Sequence, residues 1–227
     1  MTFLVAALAI FALQGQPDAS VKVKLARVYK ADESQAYTGW ATTTAGDADM
    51  KIEASFTRTT KEATADGAKV ETKYSSAKMT FAGDSMDVDE LPDPKTEDFT
   101  AVGLQKKIDL TGEGPLDFLS PLFFVPNSEV TLGATFPVKW KSEEGTLSLE
   151  GEGRLLATGM LYEEHVAKIE MNFQLTPKDG SAATYKYTSY LNVESGKLVK
   201  AEGSFSADDE DSGKVEMKFD LSKVRSK

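Results

Sequence analysis

The chain of 227 residues carries 36 acidic against 26 basic side chains, a formal net charge of −10, and no cysteine. This balance argues against nucleic acid and anionic membrane surfaces as partners, since both select a basic patch. The missing thiols exclude disulfide staples, thiolate nucleophiles and cysteine zinc sites, while 41% hydrophobic residues with 12 Phe and 7 Tyr suffice for one sizeable core.

Residues 1–20 are expected to be a signal peptide. The apolar run Phe3 to Leu13 is too short for a bilayer, which needs roughly 20 residues, but matches a secretory h-region. Cleavage is expected to leave Gly15, Gln16 or Ser20 at the mature end, giving a secreted or periplasmic product with no further membrane-spanning stretch. A buried N-terminal helix is the alternative. Residues 21–227 then read as one β-rich domain, in two meander halves (21–110 and 136–227) joined by a segment at 111–135.

Period-two alternation runs through both halves. In the first, Val21, Val23 and Leu25 alternate with polar neighbours, and a strand is expected from Ser34 to Thr44. Met50, Ile52, Ala54 and Phe56 share one face, Asp66-Gly67 turns, Val70, Thr72 and Tyr74 follow, and Gly83-Asp84 reverses the chain again. Leu91 to Asp98, with two prolines and three acids, reads as a surface loop, and Phe99 to Leu110 as renewed extended structure.

Pro115 to Val125 breaks the pattern. Leu116, Phe118, Leu119, Leu122, Phe123, Phe124 and Val125 are too apolar for a solvent-washed linker. Pro115 suits a first helical position and Pro121 limits its length, so a short apolar helical plug is expected, turning at Pro126-Asn127.

The second half alternates more sharply. Strands are expected at Phe136 to Lys141 and Leu147 to Leu155, and Ala167, Ile169, Met171, Phe173 and Leu175 lie opposite polar residues in a way no helix satisfies. Thr184 to Val193, Leu198 to Ala207 and Val215 to Leu221 complete the run. The short connections exclude parallel crossovers, which makes the sheet an antiparallel meander. Strands well above the usual 5 to 6 residues tend to curl, so the fold class expected is all-β: about ten strands in a curved sheet or open half-barrel, covered by the plug.

The Asp66-Gly67-Ala68-x-Val70 hairpin, the central apolar segment and Val130-x-x-Gly133-x-x-Phe136-Pro137 followed by long strands resemble a group of uncharacterised secreted bacterial β-meander proteins and lipoproteins. The resemblance spans Val21 to Val224. Phe136 stands where that group more usually has Trp, and its lipidated Cys is missing. The architecture is also similar to periplasmic lipoprotein carriers, whose unclosed barrels hold acyl chains under a helical lid. That likeness is one of fold alone.

Chemical motifs are sparse. His165 is the single histidine, expected as a polar loop residue just before a strand, and no dinucleotide, phosphate-loop or nucleophile-elbow motif is present. Asp208 to Asp211 lack calcium-loop spacing, and the adjacent pairs Glu143-Glu144 and Glu163-Glu164 point to opposite sides in extended structure. No catalytic, cofactor or metal residue is therefore assigned. Glycines on inward rows, Gly151 and Gly153 in one and Gly203 in another, mark bends or leave room for something that packs close. With Leu116, Phe118, Leu119, Leu122 and Phe123 they are the candidate contacts, either of the plug or of an apolar ligand. The expected function is a non-enzymatic binding or structural interaction module of the cell envelope, with an envelope protein or an apolar small molecule as partner. A carrier of a lipid or other apolar ligand is the alternative; a carboxylate-dependent hydrolase is a third.

Overall fold

The structure, a computed structural model, describes residues 21–45, 48–106, 123–142, 145–178, 182–209 and 213–225. In chain order the strands are β1 (Lys22–Leu25), β2 (Ser34–Ala45), β3 (Ala48–Thr64), β4 (Gly67–Phe81), β5 (Asp84–Asp87), β6 (Lys95–Thr100) and β7 (Ser128–Thr131). There follow β8 (Thr135–Lys141), β9 (Leu147–Leu161), β10 (Glu164–Pro177), β11 (Ala183–Asn192), β12 (Leu198–Asp209) and β13 (Gly213–Lys223). No helix occurs among the described residues.

Eleven strands form one open, curved antiparallel sheet in the order β5-β4-β3-β2-β13-β12-β11-β10-β9-β8, with β6 also on β4. Each half is a meander of hairpins, and they join where the last strand pairs with the first long one: Phe219 stands opposite Ala41 and Leu221 opposite Gly39. The sheet curves for a local reason. Register shifts at Lys168/Ile169, Tyr190/Leu191, Ser55/Phe56 and Thr60/Glu62 each insert a bulge, which bends the strand and increases its twist.

Alternation sets the faces. In β10, Ile169, Met171, Phe173 and Leu175 are buried while Glu170, Asn172, Gln174 and Thr176 are exposed. The inner face packs against a second, two-stranded ribbon in which β1 pairs with β7, and Val23, Leu25 and Val130 from that ribbon belong to the main core. Outside, exposed ion pairs such as Lys51–Glu53 and Lys139–Glu150, both 3.0 Å, contribute little to stability.

Several expectations require correction. Lys95 to Asp98, read as loop, belong to β6 and pair with Thr72 to Lys69. The edge of β4 offers unpaired backbone groups there, and the prolines at 92 and 94 lie ahead of the strand, where they block nothing. Extended structure does not continue to Leu110: β6 ends at Thr100, the chain turns so that Gly103 N donates to Thr100 O at 3.0 Å, and 107–110 lie outside the described residues. His165 is an exposed residue inside β10, opposite Met160, because the reversal is completed earlier by Tyr162 and Glu163, with φ of 52° and 66°. The helical plug is not supported. Most of Pro115 to Val125, like residues 1–20 with the expected signal peptide, lies outside the described residues, and its described end, Phe123 to Val125, is buried chain without regular structure.

Candidate functional site

Of the glycines singled out from sequence, Gly153 and Gly203 lie in one cross-strand row and Gly151 in another, between Val138 and Phe173. Successive ladder partners run Phe136, Gly153, Met171, Tyr187, Gly203, Phe219, so that two glycines alternate with bulky residues across six strands. Each glycine lets a neighbour lean in. A Cβ on Gly153 would sit 2.3 Å from Cζ of Phe136, one on Gly203 2.3 Å from Cβ of Tyr187, and one on Gly151 2.6 Å from Cβ of Phe173. The space at all three is occupied by the protein's own residues. Phe123 packs edge-on against Tyr187, with ring centroids 5.8 Å apart, and Tyr187 Oη accepts a hydrogen bond from Phe124 N at 3.3 Å. Burial pushes the Tyr187 phenol well above its ordinary range, so it stays neutral. Leu116, Phe118, Leu119 and Leu122 lie outside the described residues.

Sequence reasoning missed a second constellation. The β1–β2 connection, the starts of β2 and β3's far end, and the β11–β12 turn meet around a cavity of about 50 Å³, lined on its polar side by Arg27, Tyr29, Glu33, Gln35, Arg58 and Lys197. Phe99, Phe123, Val125 and Leu191 line the apolar side. Arg27 Nη1 donates to Gly196 O at 3.1 Å, and the guanidinium stacks 4.9 Å from the Tyr29 ring centroid. Arg58 lies over Phe56 and Phe99, at 5.7 and 5.8 Å. Glu33 Oε1 pairs with Lys197 Nζ. Burial raises the phenol pKa of both Tyr29 and Tyr37, and the charges of Arg27 and Arg58 oppose that rise; both hydroxyls remain proton donors, to Thr100 O at 3.4 Å and Leu198 O at 3.2 Å. Among the described lining residues the cations Arg27, Arg58 and Lys197 outnumber the one carboxylate, Glu33.

The β11–β12 turn that walls this cavity is tied from three sides. Asn192 Oδ1 accepts from Glu194 N, Ser195 N and Ser195 Oγ, its Nδ2 donates to Glu164 Oε2 at 2.9 Å, and Val28 N donates to Ser195 O at 2.8 Å. Gly196 is required at the crossing. Its φ is +61°, and a Cβ there would sit 2.4 Å from the Ala26 carbonyl oxygen. Gly196→Ala is expected to lower stability by about 1–3 kcal/mol, read as a lower urea midpoint at unchanged m-value. An unchanged midpoint would show that the turn does not bear on Ala26.

A wider groove of about 470 Å³ borders Gly153 and Gly203, where Glu152, Glu170 and Glu202 interleave with Arg154 and Lys186. Mixed signs along an open surface select no ligand charge, so the smaller cationic cavity is the better-defined site despite its size. Among the described residues no group of three or more His, Asp or Glu side chains is arranged to hold a metal.

No family model and no curated protein sequence matches the chain. Among solved structures it is similar to a DUF1329 family protein from Desulfovibrio piger, at 8% identity and a TM-score of 0.30, over 86% of this chain and 85% of that one. It is similar also to a structure described as an outer membrane lipoprotein-sorting protein domain from Vibrio parahaemolyticus, at 8% identity, a TM-score of 0.24 and the same coverage. Overlap at that level carries no argument about ligand or activity, which rest on this chain's own residues.

Proposed function

We propose that the protein is a non-enzymatic binding module of the cell envelope, with the Arg27–Arg58 cavity as its binding site. One observation carries the reading. The inner face is packed by the β1–β7 ribbon, by Phe123 to Val125 and by the aromatic residues that lean over Gly151, Gly153 and Gly203, while the cavity beside that core is small and cationic. Its about 50 Å³ is far below the roughly 300–1,000 Å³ of pockets that enclose a drug-sized ligand. The apolar run at Phe3 to Leu13 supports the secreted or periplasmic location. The lining supplies donors and one paired carboxylate, a set suited to holding an anion.

Titration with the methyl ester of a fluorescent long-chain fatty acid tests this against the carrier alternative, because the ester has an acyl chain and no charge. No saturable binding is expected. Saturable micromolar uptake would establish an apolar compartment and replace the binding-module reading with that of a carrier.

A further inference from the structure

The wide groove on the outer face of β9 to β12 has a regular construction. One wall is the cross-strand row Arg154, Glu170, Thr188 and Glu202, and the other is the row Glu152, Asn172 and Lys186, each made of directly opposed partners on neighbouring strands. The rows are two residues apart along the strands, about 6.6–6.8 Å, and successive strands lie about 4.7–4.9 Å apart. Between the walls, Gly153, Met171, Tyr187 and Gly203 belong to the inward-facing row, so the floor is backbone. The volume of about 470 Å³ falls within the roughly 300–1,000 Å³ of ligand sites.

The walls leave their polar groups open. Among the described residues, Glu152, Glu170, Asn172, Lys186 and Thr188 make no side-chain hydrogen bond or ion pair. Their positions alone would allow one: Arg154 stands directly opposite Glu170, yet its Nε donates to Gly133 O at 2.9 Å. Elsewhere on the outer face neighbouring charges do pair, Lys51 with Glu53 and Lys139 with Glu150 at 3.0 Å, and Lys200 with Glu202 at 2.6 Å. A ligand entering the groove therefore displaces water and, Lys200–Glu202 apart, meets no ion pair. Sign then restricts the ligand. Arg154 and Lys186 stand among Glu152, Glu170 and Glu202, so an extended ligand of one charge would be attracted at one strand and repelled at the next. A hydroxyl group is matched at every step, because it donates to a carboxylate and accepts from a guanidinium, an ammonium or an amide.

We propose that this groove is a second binding site, for a short neutral oligosaccharide lying across β9 to β12, with Glu152 and Glu170 accepting from its hydroxyls and Asn172 and Lys186 donating to its oxygens. A sugar chain carries hydroxyls on both sides and so reaches both walls at once. An extended peptide is matched less well. Its own N–H and C=O groups need a free strand edge, whereas the floor is interior backbone already committed to the sheet ladder. Tyr187, at the floor, turns its ring into the core, so binding rests on hydrogen bonds and is expected to be weak. The groove shares no lining residue with the Arg27–Arg58 cavity.

The test uses the full chain, isotope-labelled, and amide chemical-shift titration with maltotriose, cellotriose and tri-N-acetylchitotriose. Trigalacturonic acid, the chitosan trisaccharide and a glycine–serine peptide serve as anionic, cationic and polypeptide comparators. At least one neutral trisaccharide is expected to bind saturably, with the largest shifts at the backbone of Gly153, Met171, Tyr187 and Gly203, and with an affinity insensitive to salt. Glu170→Ala and Asn172→Ala are each expected to weaken that binding roughly twofold to tenfold, the range for one ordinary hydrogen bond, and the double variant more than either. Lys51→Gln, on the same face outside the groove, should leave it unchanged. All three positions are at the outer surface, and each variant is checked for the wild-type circular dichroism spectrum. The proposal is overturned if no neutral trisaccharide binds, if the shifts map elsewhere, if a charged trisaccharide or the peptide binds tighter, if affinity falls steeply with salt, if the folded wall variants bind unchanged, or if Lys51→Gln weakens binding as much as they do. None of those failures bears on the Arg27–Arg58 cavity or on the absence of acyl-ester binding, so the binding-module reading is tested separately.

Discussion

Phe173→Asp is expected to leave the chain unfolded. Phe173 is 2% exposed at the centre of β10, stacked on Tyr185 at 5.2 Å and edge-on to Tyr187 at 5.8 Å, with Gly151 opposite it on β9. Truncating such a ring costs about 3–5 kcal/mol by itself. The aspartate then adds an unpaired carboxylate, which must be desolvated or protonated at a further cost of several kcal/mol. The sum approaches the roughly 5–15 kcal/mol that separates a typical domain from its unfolded state. Loss of the β-sheet circular dichroism signal and of urea cooperativity is the expected readout, with Phe173→Leu as the folded control. An aspartate variant with a wild-type urea midpoint would mean that β10 presents the opposite face to the core.

Phe123→Ala addresses the apolar segment between the two halves. The residue is 7% exposed and edge-on to Tyr187, next to Phe124 N, which donates to the Tyr187 hydroxyl. As an integral part of the core it should cost about 3–5 kcal/mol on truncation. For a domain of this size that corresponds to roughly 6–20 °C in Tm, at about 2–4 °C per kcal/mol. A weakly held cover would behave otherwise, since such elements open at low free energy and add little to the global stability. A drop of less than about 1 kcal/mol, the scale of ordinary surface changes, would therefore remove Phe123 from the core.

The sheet and its faces were legible because side-chain period two is a local property. Met50 to Phe56, Ala167 to Leu175 and Val215 to Leu221 declare their buried side within a few residues, and the turn residues between them exclude crossovers. Where the strands lie relative to each other is not a local property. That β13 closes onto β2, that β1 leaves the sheet to pair with β7, and that Lys95 to Thr100 adds to the edge of β4 are choices between backbone edges with equal hydrogen-bonding capacity, settled by long-range packing.

The same division holds for the sites. Gly151, Gly153 and Gly203 stand out in the sequence as gaps in apolar rows, but the side chains that occupy those gaps come from neighbouring strands, and only the register brings Phe136 over Gly153 and Tyr187 over Gly203. The cationic cavity was less legible still. Arg27 and Arg58 are two of four arginines, with Arg154 and Arg225, in a lysine-rich chain, and nothing in their local spacing joins them to each other or to Lys197. They meet because the β1–β2 connection is bonded to the β11–β12 turn, Val28 N to Ser195 O and Arg27 Nη1 to Gly196 O. Alternating burial is written residue by residue along a strand, whereas a site assembled from the ends of distant strands exists only once their pairing has closed the chain on itself.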